Sequence, residues 1–450
     1  MSRETDENRS WSRRRYLAAI AGSQLALAGC ADQTPPDDSE QRPESWEEAA
    51  DRRIEKYRKG GLEVVVTDRN GNPVSDAEVA IEMQWHAYGF GTAVDAKHLV
   101  EETEPGDNYR THIPWLFNKA VLENRHKWGF WEQPKQRRYA IDATNWLLQQ
   151  GLEMRGHTCV WQRPNQGAIP PDVERALDQK QAGIVSRRAT EHIETIISYY
   201  SDVSGVTEWD VLNEPVNFHA MTELINPDAP DLMPPELLSW YDRARSGDSD
   251  AELYVNEYNI LPSDEHRDEY ERLIRFLLDN GAPLDGIGLQ AHHSSIQQRQ
   301  TSTALLDTLD RFARLGVALQ VTEYDNWGNN WTDQMEADYL YRFLKTIFSH
   351  PATEGFLMWG FWNGAHWKGN APLFRKDWSS KPALDRYKNL VFDQWWTDES
   401  GTTNQSGLYS TNAFLGKHKI TVRKGGVSKT AYQEIMDEQN VETVHVQLVK

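Results

Sequence analysis

The chain has 450 residues, 39% of them hydrophobic, which allows two or three domains and a sizeable buried core. A net charge of −20 argues against nucleic acid or an anionic membrane surface as partner, and gives no sign of an acidic polymer as preferred substrate. The 18 Trp suit a core plus exposed indoles on which pyranose rings could stack, and the acidic excess with a mean hydropathy of −0.71 is compatible with work in high salt.

The first 30 residues read as an address. Ser12-Arg13-Arg14-Arg15-Tyr16-Leu17 fits a twin-arginine pattern, and the apolar run Leu17–Ala28 is too short to span a membrane. It ends at Leu27-Ala28-Gly29-Cys30, which resembles a lipoprotein box with Cys30 as the lipidated residue. The expectation is an extracellular protein, exported folded and anchored at the cell surface through Cys30, with no other membrane contact. An unmodified or simply cleaved signal is the alternative. The only other cysteine, Cys159, reads as a small buried side chain. No Cys/His cluster is present, so no metal and no cofactor is expected.

Residues 31–44 are acidic, Pro-rich and read as a disordered spacer. Over 45–60, Ser45 precedes a helical run from Trp46 to Lys59, with Gly60-Gly61 as its stop. Over 61–86, Leu62, Val64 and Val66 alternate with polar residues, Asn70-Gly71 and Asn72-Pro73 mark turns, and Val79 and Ile81 resume the alternation. This is half of a β-sandwich, and residues 395–450 offer the other half. Together the two ends resemble a carboxypeptidase regulatory-like β-sandwich, with the rest of the chain inserted between its strands. Two unrelated β-appendages are the alternative.

Across residues 87–394, eight strand-like segments recur: Gly89–Val94, Lys119–Asn124, Glu153–Trp161, Val206–Glu214, Glu252–Tyr258, Gly286–His292, Ala318–Asp325 and Gly355–Asn363. Helical stretches such as Arg137–Gln150, Ala182–Tyr200, Glu265–Asn280, Thr303–Leu315 and Thr332–Ser349 fall between and after them. The alternation predicts an α/β fold, a (β/α)8 TIM barrel, whose active site lies at the carboxyl ends of the strands. Two glutamates fall at such ends: Glu214 in Asn213-Glu214-Pro215, where Pro215 ends the strand, and Glu323 in Thr322-Glu323. Alone, each could be a solvated loop residue or a helix cap. As a pair on two barrel strands they suit glycoside hydrolysis.

The motifs on these strands are similar to those of glycoside hydrolase family 10, the retaining endo-β-1,4-xylanases, over about Phe90–Leu390. They are Glu123-Asn124 with Lys127-Trp128; Arg155-Gly156-His157-Thr158 with Trp161; Trp209-Asp210-Val211 to Asn213-Glu214; Gly288 to His292; Thr322-Glu323-Tyr324-Asp325; and Trp359-Gly360. The resemblance implies Glu214 as acid/base and Glu323 as nucleophile. It implies Asn213 on the sugar 2-hydroxyl, His292 supporting the nucleophile with Asp325 behind it, and Gln290 and His157 lining the same subsite. Glu123, Asn124 and Lys127 would contact the next sugar outward, and Trp161, Trp359 and Trp367 would form aromatic walls. The bland readings are core histidines for His157 and His292 and a surface charge for Lys127. The run before Trp367 (Asn363-Gly364-Ala365-His366) departs from the family, as do Pro215, Tyr324 and Gln162 at positions where Ala, Leu and His are usual. Xylan is the expected substrate, a glucan the runner-up, and a non-catalytic carbohydrate-binding protein the reading from another class.

Overall fold

The structure, a computed structural model, describes residues 44–164, 167–203, 205–328 and 330–449. The signal-like segment, Cys30 and nearly all of the acidic spacer lie outside the described residues. Ser45 caps the helix Trp46–Tyr57 through a capping box: its hydroxyl accepts from Glu48 N and its own N–H donates to the Glu48 carboxylate. This helix stops two residues before the expected Lys59, and Gly60-Gly61 is no helix stop. Both glycines belong to strand β1 (Lys59–Thr67). A Cβ on Gly60 would sit 2.7 Å from Asp437 O, and one on Gly61 2.9 Å from a Val441 methyl, so close backbone approach is what requires them.

Strand β2 (Glu78–His86) follows, and then the barrel: β3 (Gly89–Val94), β4 (Lys119–Leu122), β5 (Glu153–Trp161), β6 (Glu208–Asn213), β7 (Glu252–Glu257), β8 (Gly286–Leu289), the two-residue β9 (His292–His293), β10 (Ala318–Asn326) and β11 (Thr353–Met358). Eight of these, all but β2 and β9, pair in parallel and in order, and β11 closes on β3 with Gly355 opposite Gly89. The barrel is therefore complete, with helices such as Pro134–Gln149, Ala182–Val203, Asp264–Asp279, Ser302–Ala313 and Asp333–Ser349 between its strands. Several strands are shorter than the sequence suggests. The expected Gly286–His292 strand breaks after Leu289, where Ala291 takes φ 65°, and His292–His293 pairs separately with Asp325 and Asn326. The eighth ends at Met358 rather than Asn363 and the second at Leu122 rather than Asn124.

The floor of the barrel is charged. Arg155 lies 2.5 Å from Asp210 and 3.0 Å from Glu208, donates to Gln320 at 3.0 Å, and faces the Tyr254 ring at 4.3 Å. Lys119 pairs with Glu208. All four charges are buried, and each is tolerated because its partner is present. Below this network, Gly156 lets the Trp209 ring pack against the backbone, since a Cβ there would stand 2.2 Å from the indole.

Beyond the barrel come β12 (Asp398–Thr402), β13 (Leu408–Phe414), β14 (Gly416–Lys424), β15 (Val427–Ile435) and β16 (Val441–Gln447). Strand β1 lies between antiparallel β13 and parallel β16, while β2 lies between β12 and β14, with β15 at the edge. The two sheets bury one core, with Leu62, Val64 and Ile81 from one end of the chain against Ile420, Val422 and Val444 from the other. The ends thus form a single small β-sandwich. It is joined to the barrel by Arg58, buried, which donates to Phe348 O at 2.6 Å and Thr353 O at 2.9 Å.

Candidate active site

All six residues of β6 are buried, and the chain must leave the sheet at Pro215, which has no N–H to donate. Glu214 makes the bend with φ 51°, a conformation that a side chain adopts only where the surroundings hold it. Here its N–H donates to Asn256 O at 2.8 Å. The Glu214 carboxyl is held at both oxygens, accepting from Gln290 Nε2 and from Trp161 Nε1, each at 3.1 Å. Burial raises its pKa; the Gln290 bond opposes the rise and the charge of Glu323 adds to it.

Glu323 sits inside β10, 4% exposed. One oxygen accepts from Asn256 Nδ2 at 2.7 Å and the other lies 3.2 Å from His292 Nε2. The other ring nitrogen of His292 is 2.7 Å from Asp325. Burial alone would lower the His292 pKa, but the charge and hydrogen bond of Asp325, followed by those of Glu323, raise it to about 10. Asp325 is held well below the usual carboxylate range: burial opposes this, and His292 outweighs it. His292 is therefore a cation between two carboxylates at neutral pH. The second oxygen of Asp325 accepts from Trp367 Nε1 at 2.6 Å, which fixes an indole that is otherwise 45% exposed.

The remaining candidates surround this pair. Asn213 accepts from Asn256 at 2.9 Å, so Glu214, Gln290, Asn213, Asn256 and Glu323 form one hydrogen-bonded chain. Lys127 is buried, donates to Asn124 at 2.9 Å and lies over the Trp161 ring at 5.0 Å. Burial lowers its pKa, opposed by Glu123; burial raises that of Glu123, opposed by Lys127. His157 is tied to Asp210 at 2.9 Å and meets Trp359 edge-on at 5.2 Å. Every candidate from Glu123 to Trp367 thus reaches the carboxyl face of the barrel or its immediate support. Lys127 is no surface charge. Beside Trp367, Trp327, Gly328, Lys368 and Asn370 line an open cavity, with Lys368 over both indoles.

Sequence reasoning missed Asn256, Glu257 and Asp210 as members of the site. The signal for the first two was present: Val255-Asn256-Glu257 repeats, at the end of β7, the Leu212-Asn213-Glu214 pattern that ends β6. Two departures also find structural places. Gln162 accepts from Met221 N and Thr222 N at the start of the helix Ala220–Ile225. Tyr324 packs among Tyr339, Phe343 and Phe356 on the outer side of β10. Among the described residues, no group of three His, Cys, Asp or Glu could hold a metal ion, and no helix is long and apolar enough to cross a membrane.

Comparison with known proteins agrees with this geometry. The family model for glycosyl hydrolase family 10 matches residues 80–390. Anti-sigma-I factor RsgI6 of Acetivibrio thermocellus is 28% identical over 393 residues, 86% of this chain and 48% of that protein, so this chain spans about half of that relative's length. Endo-1,4-beta-xylanase A of Caldicellulosiruptor saccharolyticus is 28% identical over 331 residues, covering 68% of this chain and 93% of that enzyme. The crystal structure of native xylanase 10B from Thermotoga maritima superposes with a TM-score of 0.57 at 22% identity, covering 68% of this chain and 96% of that one. The family model spans well over half of the sequence and carries both glutamates: this chain belongs to glycosyl hydrolase family 10.

Proposed function

We propose that the protein is a retaining endo-β-1,4-xylanase. One observation carries the reading: the part-buried Glu214 and the buried Glu323 share one hydrogen-bonded network but have opposite surroundings. Glu214 is desolvated and pushed toward its protonated form, while Glu323 faces a cationic imidazole and an amide donor. In the first step Glu323 attacks the anomeric carbon as the glycosidic C–O bond breaks, and Glu214 gives its proton to the leaving oxygen. In the second, Glu214 takes a proton from water, the water oxygen bonds to the anomeric carbon, and Glu323 leaves as carboxylate. Asn213 would bond the 2-hydroxyl, Glu123, Asn124 and Lys127 the next sugar outward, and Trp161, Trp359 and Trp367 the ring faces.

The test is proton NMR of the first product on xylan, beside a soluble cellulose and a mixed-linkage glucan. A β-anomer from xylan supports the reading. An α-anomer overturns retention, and preferential cleavage of a glucan overturns the substrate. A relative named as an anti-sigma factor, not as an enzyme, matches most of this chain, which keeps a non-catalytic carbohydrate-binding protein as the second reading; binding of xylan without any product would establish it. The twin-arginine and lipobox residues support export and anchoring at Cys30. Identical detergent partitioning of wild type and Cys30→Ser would overturn the anchor. For the sandwich, the motif likeness at both ends supports kinship with carboxypeptidase regulatory-like domains.

A further inference from the structure

A third glutamate lies under the acid/base turn. Glu257 ends β7 and is fully buried at 0% exposure. One of its oxygens accepts the Val216 N–H at 2.9 Å; the other accepts its neighbour Tyr258 N–H at 3.0 Å and lies 3.3 Å from His266 Nε2. The bond to Val216 spans the turn that Glu214 and Pro215 make. The same turn is held at its start by Glu214 N–H on Asn256 O and at its end by Asn217, 3.4 Å from His266. A proline in the middle removes one donor, so Val216 supplies the inner N–H of the turn, and a carboxylate is the group that receives it.

This deepens the xylanase reading and rests on it: we propose that Glu257, backed by His266, is a positioning residue that clamps the Glu214 turn and so aims the acid/base carboxyl at the leaving oxygen. Burial pushes Glu257 up to about 7 against the His266 bond, and Glu214 adds to the rise, so the two carboxyls sense one another across the turn. The other titratable groups facing Glu257 are Tyr258 beside it and Tyr270 from the helix Asp264–Asp279; Arg163 acts on Tyr258. None of these touches the nucleophile. A loosened turn should therefore damage proton transfer by Glu214 and leave attack by Glu323 intact.

The test compares wild type and Glu257→Ala on a xylo-oligosaccharide, whose sugar leaving group needs a proton, and on a dinitrophenyl β-xylobioside, whose leaving group does not. We expect kcat/KM to fall by at least about tenfold on the first and to stay within about threefold on the second. Azide should speed turnover of the dinitrophenyl substrate and yield a β-glycosyl azide, because azide attacks the glycosyl-enzyme without a base. Equal losses on both substrates, or none on either, would overturn the clamp. If Glu257→Ala is insoluble, Glu257→Gln decides, since it offers one acceptor to two N–H groups and should show the same split at smaller size. A wild type inactive on both substrates would instead overturn the xylanase reading itself.

Discussion

Asn256 gives one side-chain hydrogen to Glu323 at 2.7 Å and the other to Asn213 at 2.9 Å, while its own oxygen accepts from Thr322 at 2.7 Å. The amide is saturated on both sides, so it holds the candidate nucleophile and the candidate 2-hydroxyl ligand in one fixed frame. Replacing Asn256 with Ala removes a preorganised donor from the reacting carboxylate. We expect kcat on xylan to fall about 100-fold. Stability should also drop by about 1–3 kcal/mol, because Thr322 and Asn213 lose a buried partner. Steady-state kinetics with thermal melts checks both; wild-type kcat would refute the role.

The two carboxylates should fail differently. Glu323→Ala should lose nearly all activity, and azide should restore some by entering from the vacated face to give an α-glycosyl azide. Glu214→Ala should lose most on sugar leaving groups and least on activated aryl ones, which need little protonation. Product configuration by NMR separates the two, and the same azide product from both variants would contradict the assignment.

Acid should destabilise the fold before it protonates most carboxylates. Burial holds His86 and His126 down to about 3 and His293 and His418 down to about 4. In the unfolded chain each titrates near 6.5. Below that pH the unfolded state takes up protons that the folded state refuses. Each ring then costs about 1.4 kcal/mol per pH unit until its folded value is reached. His292 acts in the opposite direction: its stabilisation is complete below about 6.5 and fades as pH rises toward 10. The melting temperature should therefore peak near pH 6.5 and fall on both sides. His418→Leu, which replaces a buried ring between β14 and its neighbours, should flatten the acid side. A melting temperature unchanged from pH 7 to 4.5 would contradict the account.

The sandwich should not survive removal of its second half. Deleting residues from Gly401 onward takes β13 and β16 from β1 and β14 from β2. Leu62, Val64, Val66, Val79 and Ile81 would then face water, each losing about 1.5–3 kcal/mol of burial. Unpaired strand edges would be left as well, so aggregation is expected. A soluble truncation melting at the wild-type temperature would show that the two ends are energetically separate.

Residue order alone carried much of this. The β/α alternation is a local property, written as apolar runs between amphipathic stretches, so the barrel strands and the helices between them were legible within a few residues. Glu214 was legible because it follows a strand that Pro215 ends, and Glu323 because of its Thr322-Glu323-Tyr324-Asp325 motif; the expected strand end at Glu323 is instead strand interior, since β10 runs on to Asn326. Lys127 and Trp367 were less so. Nothing local says that Lys127 will be buried over Trp161, or that Trp367 will reach back 42 residues to Asp325.

The sequence by itself determined which segments become strands and helices, and that Glu214 leaves its strand at Pro215, because periodicity and proline act within a few residues. Only the tertiary structure decided what Glu214 and Glu323 do. Closing the barrel brings Asn256 from β7 between Asn213 on β6 and Glu323 on β10, and sets Asp325 behind His292. It also slides Glu257 beneath the Glu214 turn and packs β1 between β13 and β16, more than 340 residues away. These partners are distant in sequence and meet only when the fold closes. Desolvation of Glu214 and the positive charge on His292 are properties of that closed site, because burial and neighbouring charge exist only once the chain has folded around them.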